Sequence, residues 1–399
     1  MTHHHEIACS GVNTGDTSTP SAPIAQHALS TLLHGLRNDN FFLILLAALV
    51  LLSVTTPGKI INYPTLVDWQ TIAALTGLLA LTKGLELSGS MQRLGYWMVG
   101  LMATERTIAL CLVMAAALLS TVLTNDVALF VVVPLTLGVC RITKMPATRL
   151  IVFEALAVNA GSALTPIGNP QNLFLWQLSK VSFGEFVAHM LPLVALLLVT
   201  LLVLTACVFN NRPIHISGKE HRSPLDRSLL LVSLTLDLPF LLATDMHHAG
   251  LAVIVVLSVL LVLRPRVLAQ LDWGLLLVFV LMFIDLRLLA DLSFVRDGMH
   301  GLGLEQAKHL YFAGISASQI VSNVPAAIAL AEYSSDWRVI AYGVNVGGFG
   351  FMVGSLANLI ALRMAGDRKA WLSFHCYAIP FLGVAAALGY AILFRGHVP

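Results

Sequence analysis

Charge is scarce in this sequence. Of its 399 residues only 11% are Asp, Glu, Lys or Arg, against 57% that are hydrophobic. Soluble domains carry about a quarter charged residues, so a large soluble α/β protein is set aside. The few charges are clustered and leave apolar runs at 41–56, 187–208, 228–243 and 250–263. A bilayer core about 30 Å thick takes roughly 20 apolar residues per helix, so these runs read as spans of a polytopic membrane protein. Cysteine is also scarce. Cys9, Cys111, Cys140, Cys207 and Cys376 are odd in number and scattered, and read as small buried hydrophobes rather than disulfide or metal partners. No basic block is present, and a net charge of +2 offers nothing to nucleic acid.

Motifs of several enzyme classes are missing too. There is no Gly-x4-Gly-Lys-Ser/Thr loop, so the chain itself does not hydrolyse ATP. There is no His-Glu-x-x-His and no paired acidic motif, which argues against a membrane-embedded enzyme. No catalytic residue, cofactor or resident metal is therefore expected. Residues 1–36 are polar and include His3, His4 and His5. No apolar stretch follows a basic start, so they are not a signal peptide. They read as a disordered or appended tail rather than a metal-binding run.

What is present is a pattern that occurs twice. Helices are expected at about 41–56, 69–85, 107–140 (interrupted at 124–126), 147–178 (broken by Gly, Pro and Asn) and 185–208. Residues 88–104 are mixed and would lie along the interface, and 210–227 form a polar, basic loop. A linking helix follows at 228–244. The pattern then returns at 248–263 and 272–290, in a mixed segment at 291–306, at 308–332 (interrupted at 322–325), in a Gly-rich broken span at 338–362, and at 372–394. Polar landmarks match in order. Asp68-Trp69 corresponds to Asp272-Trp273 and Lys83 to Arg287, at an offset of 204. Ser120 and Asn125 correspond to Ser318 and Asn323, at 198. Asn159, Gly161, Gly168 and Asn172 correspond to Asn345, Gly347, Gly354 and Asn358, at 186. The expected organisation is a tail (1–36), a first repeat (37–209), a loop and linking helix (210–244) and a second repeat (245–399).

If 107–140 and 308–332 are re-entrant hairpins, the single helix at 228–244 inverts the second repeat. Each arm of the first hairpin would be about 25 Å long, slightly short of a crossing. With the N-terminus cytoplasmic, 16 of the 23 Lys and Arg fall inside and 7 outside, which obeys the positive-inside rule. Turning one hairpin into two crossings would scramble that split.

Irregular chain at membrane depth is tolerated only where it is buried in protein or lines a wet cavity. Four such breaks occur here, and paired breaks in inverted repeats mark a transport site near the midplane. Half-helix N-termini suit an anion, and half-helix C-termini and unwound carbonyls suit a cation. At the first pair, Thr124-Asn125-Asp126-Val127-Ala128 and the stretch from Asn159 through Thr165, Gly168, Asn169, Pro170 and Gln171 to Asn172 resemble the arsenite permease and NhaD-type sodium/proton antiporter family. That family belongs to the ion-transporter superfamily, with the citrate and dicarboxylate/sodium symporters. Ser322-Asn323-Val324 and Gly347…Gly354-Ser355…Asn358 look like the second-half counterparts, and the resemblance covers roughly residues 41–394. It implies an all-α fold of two inverted repeats with re-entrant hairpins and broken helices. It further implies a scaffold, a mobile transport domain, often a homodimer, and elevator-type alternating access. On this resemblance the hairpin tips are Thr124-Asn125 and Ser322-Asn323. The substrate residues would also include Thr165, Gly168, Asn169, Asn172, Gly354, Ser355 and Asn358. The family often has an acidic residue where Asn169 stands and a proline where Gln171 stands. Its symporters carry Ser-Asn-Thr at both tips, where this chain has Thr-Asn-Asp and Ser-Asn-Val.

Ionisable residues inside spans are functional candidates. Asp126, on the first tip beside Asn125, would bind sodium or carry a proton. Its bland alternative is an N-cap for the second arm. With Asn125 and Asn323 it forms the expected ion-coupling set, and it has no acidic twin at Val324. Asp285 and Arg287 lie two apart on one helix and do not face each other, so each is expected to make a structural pair or interfacial anchor elsewhere. Asp237 reads as structural, Glu154 goes either way, and His247-His248 read as solvated. The expected function is secondary active transport of a small oxyanion or carboxylate across a bacterial inner membrane, coupled to Na+ or H+. The alternative within the class is a sodium/proton antiporter.

Overall fold

The computed structural model describes residues 40–90, 93, 104–143, 145–213, 224–367 and 369–394. The polar tail, most of the mixed segment 88–104 and the middle of the basic loop at 210–227 lie outside the described residues. All regular structure among the described residues is helical. We number the longer helices α1 (Asn40–Thr55), α2 (Trp69–Leu87), α3 (Glu105–Val122), α4 (Asn125–Thr143), α5 (Ala147–Ser162), α6 (Pro170–Ser179), α7 (Phe183–Val208) and α8 (Arg227–Asp245). They continue as α9 (Ala249–Leu263), α10 (Trp273–Ala290), α11 (Ser293–Gly301), α12 (Ala307–Val321), α13 (Asn323–Ala331), α14 (Trp337–Gly347), α15 (Leu356–Ala365) and α16 (Ala370–Phe394). Among the described residues, α3, α7, α8, α10 and α16 are each long and apolar enough to cross a membrane.

The helices pack as two groups, each drawn from both halves of the sequence. The first joins α1, α2, α8, α9 and α10, and the second joins α3 to α7 with α12 to α16. They meet principally where α2 packs on α4 and α6, and where α10 packs on α13. Inside the second group, α5 is buried all round from Leu150 to Ser162, and α14 from Val339 to Gly347. A helix apolar or buried on every side belongs to an interior. At the periphery, α7 buries Leu193, Leu197 and Leu201 and exposes Leu196, Val199 and Val203. Apolar side chains on both faces fit a helix with protein on one side and lipid on the other.

The repeat landmarks do the same local work in both halves. Asp68 caps α2, accepting from Gln70 and Thr71 N–H at 3.1 Å, and Asp272 caps α10 through Leu275 N–H at 2.9 Å. Such caps are worth about 1 kcal/mol each. Trp69 and Trp273 each reach back five residues with the indole N–H, to the carbonyls of Pro64 and Leu268. Two close helix crossings also correspond. A Cβ on Gly161 of α5 would lie 2.1 Å from Ala117 O of α3, and one on Gly347 of α14 would lie 2.5 Å from Ser318 Cβ of α12. Only glycine permits either approach.

The two interruptions are less alike than the sequence suggests. The first arms, α3 and α4, have 18 and 19 residues, about 27 and 28 Å. That is longer than anticipated, and α3 alone suffices for a crossing. The second arms, α12 and α13, have 15 and 9. Leu123 and Thr124 share the first break, whereas Ser322 alone both ends α12 and begins α13. It does so at φ 75°, ψ 159°, a region that is nearly glycine-only and costs about 1–3 kcal/mol. Ser322→Gly should therefore raise the melting temperature in detergent while removing a tip hydroxyl. A lower melting temperature would mean the hydroxyl stabilises more than the backbone strain costs.

Candidate functional site

The two broken spans cross so that each supplies what the other lacks. In the first, α5 ends at Ser162 and α6 begins at Pro170. In the second, α14 ends at Gly347 and α15 begins at Leu356. Asn159, near the end of α5, donates through Nδ2 to Asn358 Oδ1 in α15 at 2.7 Å. Asn345, near the end of α14, donates through Nδ2 to Asn172 Oδ1 in α6, also at 2.7 Å. Asn159 matches Asn345 and Asn172 matches Asn358, so these are one hydrogen bond made twice across a two-fold relation. The recipients repeat the symmetry. Asn172 Nδ2 donates to the carbonyls of Ala163 (3.0 Å), Thr165 (3.2 Å) and Ser162 (3.4 Å), and Asn358 Nδ2 donates to Gly348 O at 2.9 Å. Carbonyls freed by the helix breaks are thus satisfied by amides, as buried backbone requires.

Around this cross the halves diverge. Asn169 caps α6 through Asn172 N–H (2.9 Å) and gives its Nδ2 to Ser162 Oγ and Asn345 Oδ1. Gln171 Nε2 also reaches Asn345 Oδ1, at 3.4 Å. Ser355 stands where Asn169 does in the other half, yet it makes no capping bond, and its hydroxyl is buried without a partner among the described residues. Ser322 likewise leaves α13 without a side-chain cap. In the second half Gln319 does the bridging instead. Its Nε2 donates to the carbonyls of Gly347 and Phe349, and its Oε1 accepts from Phe351 N–H. In the first half Thr165 Oγ1 donates to Thr121 O at 2.6 Å.

Both hairpin tips reach the cross and border one cavity. Asn125 N–H donates to Gly168 O at 2.9 Å. The cavity is lined by Asn125 and Asp126 from the first tip and by Ser322 to Pro325 from the second. Pro170 and Leu356 line it from the starts of α6 and α15, and Leu275, Val278, Phe279 and Met282 form an apolar wall from α10. Four helix N-termini therefore open on one small space of about 20 Å³, room for about one water. The first tip carries unused polar atoms, Thr124 Oγ1 and Asp126 Oδ1, both buried and without hydrogen-bond partners among the described residues. The capping reading of Asp126 does not hold, because α4 begins at Asn125 and Asp126 N–H donates to Asn125 Oδ1 instead.

Of the residues singled out in the sequence, Asn125, Asp126, Ser322 and Asn323 line the cavity. Thr124, Thr165, Gly168, Asn169, Asn172, Gly354, Ser355 and Asn358 build or flank the breaks behind it. Asn159, Asn345, Gln171 and Gln319 were missed as site residues, although the first two stood out as repeat landmarks. The apolar α10 wall was missed altogether. Glu154 is fully buried and accepts from Thr136 of α4. His247 and His248 are exposed, as read. Arg287 does make a structural pair, with Glu332 at 2.9 Å and with Leu66 O at 2.6 Å. Asp285 does not: both its oxygens are buried and unpartnered among the described residues, so the expected pairing fails for it. Among the described residues no group of three or more His, Cys, Asp or Glu is placed to hold a metal.

Comparison with known proteins agrees with this architecture. A family model described as citrate transporter matches residues 31–338. Inner membrane protein YbiR of Escherichia coli is 45% identical over 90% of this chain and 97% of its own. An uncharacterized transporter of Methanocaldococcus jannaschii is 31% identical over 80% of this chain and 87% of its own. Among solved structures, the Alcanivorax borkumensis YdaH transporter, described as having an unusual topology, superposes with a TM-score of 0.52 at 14% identity, covering 90% of each chain.

Proposed function

The chain belongs to the citrate transporter family, and from that membership we propose that it is a secondary active transporter of a small carboxylate or oxyanion. Transport runs across the inner membrane, is coupled to sodium or protons, and proceeds by alternating access. The observation that carries the reading is the convergence of four helix N-termini and two polar tips on one cavity between the helix groups. N–H groups and positive dipole ends gathered there favour negative charge. The uncapped starts of α13 and α15 leave the second half the better anion donor. Asp126 on the first tip supplies the carboxylate for a coupling cation. The first helix group serves as scaffold and the second as the moving unit, because they touch over few helices and the cavity lies on that seam. At about 20 Å³ the cavity is too small for a carboxylate, so substrate enters only when the groups shift. Asp126, with a buried oxygen unpartnered among the described residues, favours a sodium/proton antiporter as the second reading.

Purified protein in liposomes, given sodium or pH gradients and offered citrate, succinate, sulfate or arsenite, should accumulate at least one of them. Movement of sodium and protons alone would select the antiporter. No flux under any gradient would end both readings. Asn125→Ala and Asn323→Ala should each reduce uptake about tenfold or more with expression unchanged. Normal transport in both would remove the tips from the site.

A further inference from the structure

Asp285 is 4% exposed, and neither of its carboxylate oxygens has a hydrogen-bond partner among the described residues. A charged group buried in a membrane helix without a partner is costly, so its presence calls for a use. The neighbouring cation is not that use. Arg287 is engaged by Glu332 and Leu66 O, and residues two apart on a helix do not face each other.

The position of Asp285 on α10 is informative. Val278, Met282 and Asp285 follow the i, i+4, i+7 spacing of one helix face. Val278 and Met282 wall the tip cavity. Asp285 therefore stands on the same stripe, about 4.5 Å further along the axis than Met282. The same helix packs against α13, the arm that begins at the second tip. A tip displaced along α10 would pass from the apolar wall to this carboxyl.

We propose that Asp285 is a proton-carrying residue of the transport cycle, exchanged when the second hairpin shifts along α10. The proposal rests on the transporter reading and assigns it a coupling group on the helix facing the hairpin, apart from Asp126. A proton suits the place better than a metal cation. Hard cations need a cage of several oxygens, and the described residues hold no such acidic group. The step is a plain acid–base exchange: the carboxyl O–H bond breaks, its proton passes to water on the side to which the cavity opens, and another returns from the opposite side. Few charges compete. Helix α1 carries none, and α13 none before Glu332, which holds Arg287. From α2 come Lys83 and Glu86, tied to each other at 2.8 Å. From α11 come Arg296 and Asp297, and from the short turn at Tyr63–Leu66 comes Tyr63, bonded to Ser53. Asp126 borders the same cavity from α4.

The test compares wild type with Asp285→Asn and Asp285→Glu in lipid. Infrared difference spectra on a pH jump should show a protonated-carboxyl C=O band that is absent in Asp285→Asn and shifted in Asp285→Glu. Spectra that match wild type in both variants overturn the proposal. In liposomes carrying citrate, Asp285→Asn should lose about tenfold or more of pH-gradient-driven uptake while passive exchange stays within about twofold. Equal loss of driven uptake and exchange would make Asp285 structural and overturn it too. If Asp285→Asn does not fold, Asp285→Glu decides: a shifted band with pH-driven uptake retained supports the proposal, and an unshifted band overturns it. Should wild type move no solute, the transporter reading fails, and the infrared arm still decides whether Asp285 carries a proton.

Discussion

Asn345→Ala should destabilise the protein by about 3 kcal/mol and abolish transport, a larger loss than Asn159→Ala at the matching position of the other half. The difference follows from what each substitution strands. Asn345 holds Asn172 Oδ1 with its Nδ2, and its Oδ1 receives Asn169 Nδ2 and Gln171 Nε2. Removing it leaves three buried polar groups without that partner, each worth about 1–3 kcal/mol before relaxation. Removing Asn159 strands one such group, Asn358 Oδ1, rather than three, at about 1–3 kcal/mol. Hydrogen bonds in membrane helices average about 0.6 kcal/mol because partners are easily replaced. Here the partners sit on helix breaks, where replacements are scarce. Thermal unfolding in detergent should rank wild type above Asn159→Ala above Asn345→Ala. The Asn345→Ala/Asn172→Ala double variant should lose clearly less than the sum of the two singles. Equal effects at positions 159 and 345 would show that the extra bonds from Asn169 and Gln171 contribute nothing.

Gly161→Ala should cost about 3 kcal/mol or more and resist rescue, whereas Gly347→Ala should be rescued by one second-site change. The Cβ at 161 would meet the Ala117 backbone, 2.1 Å from its oxygen and 2.7 Å from its carbon, as well as Ser120 Oγ at 2.5 Å. Main chain cannot rotate away, so α3 and α5 would have to separate by about an ångström, and overpacking of that kind costs about 1–3 kcal/mol or more. At 347 the nearest atoms are Ser318 Cβ at 2.5 Å and Oγ at 2.7 Å, with Ile315 O at 3.0 Å. Ser318→Gly removes the first two, at a helix penalty of about 1 kcal/mol. Melting temperatures should show Gly347→Ala/Ser318→Gly recovering most of the loss and Gly161→Ala/Ser120→Gly recovering little. Rescue of Gly161→Ala would mean that the α3 backbone yields more than its packing implies.

Much of the frame was legible because the residues that break helices are chemically conspicuous. Gly, Pro and Asn inside apolar runs marked all four breaks, and Asp-Trp pairs marked the starts of α2 and α10. The cap and the indole bond explain why that dipeptide recurs. The unequal second hairpin was not legible, because nothing in Val321-Ser322-Asn323 announces that one residue will reverse the chain. The reciprocal asparagine bonds were hidden for another reason. They join residues 199 and 173 positions apart, and no local pattern reports such a contact. Asp285 was expected to pair with another helix, and its lack of a partner among the described residues was not legible because no local pattern reports which side chains face a position across a helix packing. The cavity wall on α10 escaped notice because Leu275, Val278, Phe279 and Met282 look like any lipid-facing or core stretch.

The paired asparagine bonds also bear on how the chain is made. Asn172 emerges from the ribosome long before Asn345 exists. At 5–20 residues per second, the 173 positions between them take roughly 10–35 s to synthesise. Throughout that interval the carboxamides of the first broken span lack their final partners. The nascent half must therefore wait in a wet or chaperoned state, and insertion machinery that released it early would strand polar side chains in hydrocarbon. Arrest of synthesis after residue 244 should yield a fragment that is membrane-bound and quickly degraded, and co-expression of the missing half should protect it.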